Sequence, residues 1–396
     1  MSHPLISRNA DLRRLQDGGF EVGIVNSHLV ISGVPYVNHA MEVRSGVLIS
    51  DLTLAGDQTL PPTNHVAYFM GEEPCDSAGR PLTKLLLTGQ PPYPVSPDLV
   101  AQHWFSSKPV PPARYENYYE KMTTYAAALS GHAEVINPSA TARTFRLVES
   151  SDNDVFRYHD TASSRAGISA LAEKLRVGSV AIVGAGGTGA YILDFLAKTP
   201  AAEIHLFDGD TFLQHNAFRS PGAAHEEELA AQMSKVEYLA NRYSPMRRGI
   251  IPHAESIDQG NMSQLVDMSF VFLAIDSGPA KAPIMRYLED HHIPFVDVGM
   301  GLYLAEDKVG GVIRTTFSSD ESQSRAHARA RISTGEAGPA EYNTNIQIAE
   351  LNALNAAFAV IQYKKHVGFY SDLRNEHFSA YVLDSNTVIN EDSPGD

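Results

Sequence analysis

Residues 178–220 read GSVAIVGAGGTGAYILDFLAKTPAAEIHLFDGDTFLQHNAFRS, and this stretch decides the fold. Ser179 to Val183 is an apolar run without strict alternation, the pattern of a parallel strand covered on both faces. Gly184, Gly186 and Gly189 follow in G-x-G-x-x-G spacing. That spacing permits a tight turn and brings backbone close to a phosphate at the N-terminus of a helix predicted from Thr188 to Lys198. A second strand, Glu203 to Phe207, delivers Asp208 about 20 residues beyond the glycines, where a carboxylate meets ribose hydroxyls. Strand, glycine turn, helix, strand and acid in that order predict an α/β, Rossmann-like unit with a mostly parallel sheet and a bound nucleotide. On these residues alone the nucleotide is open between NAD and ATP.

Working outward, the length of 396 residues allows two or three domains at about 150 residues each. A hydrophobic fraction of 43% and a charged fraction of 19% are those of a soluble globular chain. No apolar run approaches the ~18 residues needed to cross a bilayer, and the first residues, MSHPLISRNADLRRLQ, lack an apolar signal core. One cysteine, Cys75, excludes an intrachain disulfide and a cysteine-cage zinc site, so the expectation is a cytoplasmic protein without zinc and without a membrane partner. A net charge of -15 argues against nucleic-acid binding, which demands a basic surface.

Residues 1–150 read as a β-rich α+β accessory domain ahead of an adenine-nucleotide domain spanning 151–396. Phe20 to Val25, His28 to Ile31, Val43 to Ile49, His65 to Met70 and Lys84 to Thr88 are short strand-like runs divided by Gly, Pro, Asn and Asp. Gln90 to Arg114, with PPYPVSP and PVPPA, predicts a surface loop; Tyr115 to Ser130 predicts a helix, and His132 to Val148 two further strands. Asn64, His65 and Cys75 are the only nucleophile-and-base candidates there, and a lone reduced cysteine is better read as a small buried hydrophobe. Residues 150–164 read as a linker, followed by a helix from Ser164 to Leu175.

Beyond Asp208 the words DGDTFLQHNAFR, then Lys235 in MSKVEYLANR, then FLAIDSGPAK at Phe272 to Lys281, resemble the ATP-site signature of the ThiF/MoeB/HesA superfamily. These are the adenylyltransferases to which ubiquitin-activating enzymes belong, and the resemblance covers residues 155–365. It implies an ATP site in which Asp208 holds the ribose and Asn216 and Arg219, matching the asparagine and arginine of S-N-x-x-R-Q, hold phosphates. Ser220 stands where the family usually has glutamine. Lys235 would neutralise the α-phosphate under attack and Asp276 would hold Mg2+, with Gly184, Gly186, Gly187, Gly189 and Asp210 completing the cofactor contacts. Arg165, with Arg157 as competitor, matches an arginine that reaches the ATP of the neighbouring subunit, which implies a homodimer.

Gly299 and Gly301, then DKVGGVIRTTF, predict two strands, and Asn345 to Lys364 a long helix. The intervening polar segment, 317–344, is where ubiquitin-activating relatives carry their acyl-accepting cysteine; this chain has none there. Bacterial relatives place it in a T-C-x-x-A-G-like word, which here reads Ser333-Thr334-Gly335-Glu336-Ala337-Gly338. Either the acyl adenylate passes directly to an acceptor, or Ser333 or Thr334 forms an oxyester. Arg325, Arg329 and Arg331 on the same segment are candidates for an acidic partner or pyrophosphate, against a solvated loop. A last strand, Ala380 to Leu383, and an acidic disordered tail complete the expectation. The resemblance implies adenylation of the C-terminal glycine of a ubiquitin-like protein and a conjugating-enzyme-like partner. The alternatives are a sulfur-carrier adenylyltransferase, an NAD-dependent oxidoreductase, or a module that binds nucleotide without chemistry.

Overall fold

The computed structural model describes residues 4–109, 114–146, 154–158, 160, 162–163, 166, 168–276, 278–334 and 346–390. The chain divides into two compact units: Met1–Ser151 with Tyr158–Ala170, and Asp152–Arg157 with Leu171–Asp396. Among the described residues no helix is long and apolar enough to cross a membrane.

In the first unit two short helices, α1 (Pro4–Arg8) and α2 (Ala10–Asp17), precede strands β1 (Glu21–Val25), β2 (His28–Val37), β3 (Val43–Asp51), β4 (Leu54–Ala55), β5 (Gln58–Thr59), β6 (Val66–Met70), β7 (Leu86–Leu87), β8 (Tyr93–Ser96), β9 (Leu99–Ala101) and β10 (His103–Ser106). Helix α3 (Tyr118–Ile136) follows. Six of the strands form an antiparallel sheet in the order β1-β2-β3-β6-β10-β7. Alternation along β2 places Leu29 and Ile31 in the core shared with α2 and α3, and Val30 on the opposite face beneath the β8–β9 hairpin. Asn117 caps α3 by accepting the Glu120 N–H at 2.9 Å. Two expectations are corrected here. Gln90–Arg114 is not all loop: its prolines fall at hairpin edges, and β8, β9 and β10 form between them. His132–Ile136 belongs to α3 rather than to a strand, and no strand forms among the described residues from 137 to 146. The helical stripe Met122, Tyr125, Ala126, Leu129 and Ala133 outweighs local β propensity.

One residue in this core carries a charge problem. Lys121 of α3 is buried, and its Nζ donates to the Ser50 Oγ of β3 at 2.8 Å. Burial pushes its ammonium down to about 8, although the Asp51 charge opposes the shift. Between that value and the ordinary lysine value the unfolded chain binds a proton that the folded chain does not, so stability rises with pH across this window. Burial pushes the Tyr68 and Tyr125 hydroxyls upward, so above about pH 10 stability falls again. Lys121→Met removes the rise and stabilises the first unit at pH 7 by ~2–3 kcal/mol. The only tryptophan, Trp104, lies on β10 and reports this unit's unfolding in denaturant at pH 7 and pH 9.5; a variant with the wild-type pH slope would sink the argument.

Helix α4 (Ser169–Ala172) straddles the division at Ala170, and the second unit contains helices α5 (Gly187–Ala197), α6 (Gln214–Ala217), α7 (Glu226–Ala230), α8 (Lys235–Tyr243), α9 (Gly278–Asp290), α10 (Ser322–Arg331) and α11 (Ala349–His366). Its strands are β11 (Ser179–Val183), β12 (Glu203–Phe207), β13 (Ile250–His253), β14 (Met268–Leu273), β15 (Phe295–Ala305), β16 (Lys308–Ser318), β17 (Phe378–Val382) and β18 (Thr387–Ile389). They form one sheet in the order β13-β12-β11-β14-β15-β16-β17-β18, parallel from β13 to β15 and antiparallel beyond. This is the Rossmann-like architecture expected from the glycine turn. Along β11, Val180 and Ile182 pack with α5, α8 and α11 while Ala181 and Val183 pack with α9, so both faces are covered. Ala356 and Ala359 of α11 are fully buried in that first core, where their small side chains allow close packing.

Within the segment expected to be a polar loop, Ser322–Arg331 forms α10. Its cations are consumed internally: Arg329 pairs with Glu289 of α9, Arg325 with Asp320, and Arg331 lies over the Phe378 ring. The word Gly335 to Gly338 and the tail beyond Asn390 lie outside the described residues.

Candidate functional site

The parallel strands β11, β12 and β14 end along one edge of the sheet, and a cavity of about 320 Å3 opens over their C-terminal ends. Its floor is the glycine turn. Gly184 holds φ +96, and a Cβ there would fall 2.4 Å from the Ala274 carbonyl; a Cβ on Gly189 would fall 1.9 Å from the Gly184 carbonyl. The turn therefore packs directly against the end of β14 and against the first turn of α5. Gly186, Gly187 and Thr188 line the cavity, so the helix presents its N-terminal amides to it.

Asp208, at the end of β12, is fixed by backbone. Its Oδ2 accepts the Ala185 N–H at 2.8 Å and its Oδ1 the Asp210 N–H at 2.9 Å. Lys235 opens α8, whose N-cap Ser234 exchanges hydrogen bonds with Glu237. Its backbone N–H donates to the Asp210 carbonyl at 2.9 Å, and its Nζ lies 2.6 Å from Asp210 Oδ2 and 3.4 Å from Asp208 Oδ1. Arg219 lines the same cavity, and its buried Nε has no hydrogen-bond partner among the described residues. Asp276, just past β14, accepts a hydrogen bond from Gln347 Nε2 at 3.3 Å.

The cavity thus gathers Gly184, Gly186, Gly187, Asp208, Asp210, Arg219, Lys235 and Asp276. Gly189 lies beneath it as packing. Asn216 is buried behind it: its Oδ1 accepts the Leu213 N–H at 2.8 Å, shaping the turn that presents Arg219, and its Nδ2 has no partner among the described residues. Ser333 and Thr334 are exposed just after α10 and do not line the cavity. Arg165 lies outside the described residues, while Arg157 donates its Nε to the Ser244 carbonyl at 2.6 Å.

Residues that the motifs did not point to complete the walls. Asn352 and Asn355 of α11 are buried, yet both reach the cavity. Thr188 Oγ1 donates to Asn352 Oδ1 at 2.9 Å, and Asn355 Nδ2 donates to the Gly299 carbonyl at 3.0 Å. Two asparagines at i, i+3 in an alanine- and leucine-rich helix were the available signal. Ser256 and Ile257 close the side nearest Asp208 and Gly209, and Val298, Gly299 and Met300 the opposite side. Beside that opposite end, Lys281 of α9 and Asp297 of β15 form a buried ion pair at 2.5 Å. Burial pushes the Asp297 carboxyl up, and the Lys281 charge opposes it.

Chemically, the edge offers backbone amides and two cations for phosphates, a fixed carboxylate for a ribose, and a second carboxylate for a hard cation. A single carboxylate suits Mg2+, which completes its shell with phosphates and water. Among the described residues no group of three or more His, Cys, Asp or Glu side chains converges as a metal cluster.

A family model described as the ThiF family matches residues 161–387. A second, described as a domain of unknown function (DUF6791), matches residues 10–161. No curated protein matches the chain. Among solved structures, the crystal structure of PaaA is 20% identical over 56% of this chain and 75% of its own, with a TM-score of 0.43. Escherichia coli MccB with succinimide is 16% identical over 57% of this chain and 66% of its own, with a TM-score of 0.42. The same protein with ATP is 18% identical over the same shares, with a TM-score of 0.41.

Proposed function

This chain belongs to the ThiF family of ATP-dependent adenylating enzymes, and on that premise we propose that it adenylates the C-terminal glycine carboxylate of a ubiquitin-like protein, releasing pyrophosphate. The observation that supports this reading is the convergence of Arg219, Lys235 and Asp276 with the glycine turn and Asp208 in one cavity. A nicotinamide site has no use for two cations and a second carboxylate at the phosphate end, whereas attack on an α-phosphate needs charge stabilisation there. Arg219 and Lys235 hold the phosphates, Asp208 the ribose, and Asp276 the Mg2+, which when bound neutralises phosphate charge.

In this proposal the acyl group passes to a conjugating-enzyme-like partner directly, or through an oxyester on Ser333 or Thr334, both of which are exposed. A homodimer brings Arg165 of one protomer to the nucleotide of the other. The test is incubation with ATP, Mg2+ and a panel of small ubiquitin-fold proteins ending in glycine. Mass spectrometry is expected to find AMP on the carrier C-terminus, with carrier-dependent pyrophosphate exchange. A protein that binds NAD in this cavity and fails to bind ATP with Mg2+ would refute the proposal.

A further inference from the structure

The strand order lays out the site as a line. Asp208 ends β12, the glycine turn ends β11, Asp276 follows β14, Gly299 lies on β15 and Arg314 on β16. At the ~4.8 Å spacing of neighbouring strands, β16 lies roughly 10 Å beyond the metal-holding end and roughly 14 Å beyond the phosphate turn. The ribose and phosphates occupy one end of this line, so the group that attacks the α-phosphate enters from the other.

Arg314 stands at that other end. It pairs in register with Gly299, and a Cβ on Gly299 would fall 2.6 Å from its Nε, so its side chain lies across the bare glycine that lines the cavity. Its Nε is buried and has no hydrogen-bond partner among the described residues. Among the described residues no carboxylate forms an ion pair with it, and the nearby Asp297 is already taken by Lys281. A partly buried guanidinium with an unsatisfied donor is costly unless an anion meets it, and its planar fork suits a carboxylate. On the nucleotide side Arg219 and Lys235 already supply the cations that phosphates require.

We propose that Arg314 binds the terminal carboxylate of the acyl substrate's tail and aligns it for attack, with Gly299 kept bare so that the guanidinium and an extended tail both fit. The proposal rests on the adenylation reading above and adds a substrate-binding residue to it. Unlike Gly299, Gly301, two residues along β15, has no heavy atom within 4 Å of a built Cβ, which leaves the approach open to an extended backbone.

The test uses the full-length protein saturated with AMPCPP and Mg2+, titrated with N-acetyl-diglycine or its C-terminal amide and followed by ligand NMR. Wild type is expected to favour the carboxylate about tenfold or more, the size of one charge-assisted hydrogen bond. In Arg314→Gln that preference is expected to fall below about threefold while AMPCPP affinity stays within about twofold, and Arg314→Lys is expected to lie between. Gly299→Ala displaces the guanidinium without removing it and is expected to lower the preference too, which covers a failure of Arg314→Gln to fold. An unchanged preference in the folded variants, or a wild type that binds AMPCPP but not the carboxylate, overturns the inference alone. Failure of the wild type to bind AMPCPP with Mg2+ removes the adenylation reading instead.

Discussion

Replacing Lys235 by alanine lowers the rate of adenylate formation about a thousandfold while weakening ATP binding about tenfold or less. The asymmetry follows from where the charge sits. Nζ lies 2.6 Å from Asp210 and 3.4 Å from Asp208, and the lysine side chain is only 8% exposed. Asp210 is 75% exposed, so that pair contributes roughly 0–1 kcal/mol and yields readily to a phosphate. In the proposed ground state the phosphate charge would be shared with Arg219, the α5 amides and a cation that Asp276 would hold. Extra negative charge builds at the α-phosphorus only as the carboxylate attacks, and a fixed ammonium then has its largest effect. Carrier-dependent pyrophosphate exchange measures the rate, and calorimetric titration of ATP measures binding. A variant whose whole loss lies in ATP affinity would make Lys235 a ground-state anchor and refute its place in the transition state.

The same residue shows what the sequence makes legible. Strands Ser179–Val183 and Glu203–Phe207 and the helix between them are readable because a covered parallel strand and a glycine turn each leave a dense local signature. Asp208 could be named from its spacing to the glycines, and Arg219, Lys235 and Asp276 from the resemblance to the ThiF/MoeB/HesA superfamily; all four line one cavity. Asn352, Asn355 and Arg314 were not legible. The asparagines come from α11, far along the chain, and only its packing against the sheet carries them to the cavity; Arg314 lies on β16, which only the sheet order sets beside β15 and Gly299. Helix α10 was hidden for a different reason: its alanine and arginine run is polar all round, and the ion pair from Arg329 to Glu289 of α9 is a tertiary contact that local sequence does not announce. In the first unit the prolines of 90–114 masked β8 to β10, because proline is tolerated where a strand lies at an edge.

Replacing Arg247 by leucine lowers stability by ~4 kcal/mol, which for a unit of this size moves the thermal midpoint down by roughly 8–16 °C. Arg247 is 1% exposed and forms no ion pair with a carboxylate among the described residues. Its guanidinium is instead spent on backbone carbonyls. Nη2 donates to Ala201 at 2.6 Å, Nη1 to Thr199 at 3.2 Å and Leu196 at 3.4 Å, and Nε to Arg248 at 2.8 Å. Leu196 and Thr199 lie at the C-terminal end of α5, where the helix dipole favours a cation; the Leu196 carbonyl also accepts the Thr199 N–H at 2.9 Å. Burial pushes the group down to about 10, so it remains charged at pH 7 and no change in protonation relieves its loss. Leucine fills part of the volume but leaves several buried carbonyls unsatisfied, each costing about 1–3 kcal/mol before relaxation. Lysine keeps the charge but can reach only some of the acceptors, so Arg247→Lys is expected to retain about half of the stability that leucine loses. The readout is far-ultraviolet circular dichroism, since the only tryptophan lies in the first unit. Because α5 begins at the glycine turn, ATP added at saturating concentration should recover part of the lost midpoint in the leucine variant by mass action. A midpoint within about 3 °C of wild type would show that solvent or a rearranged backbone replaces the guanidinium, and that the end of α5 does not depend on it.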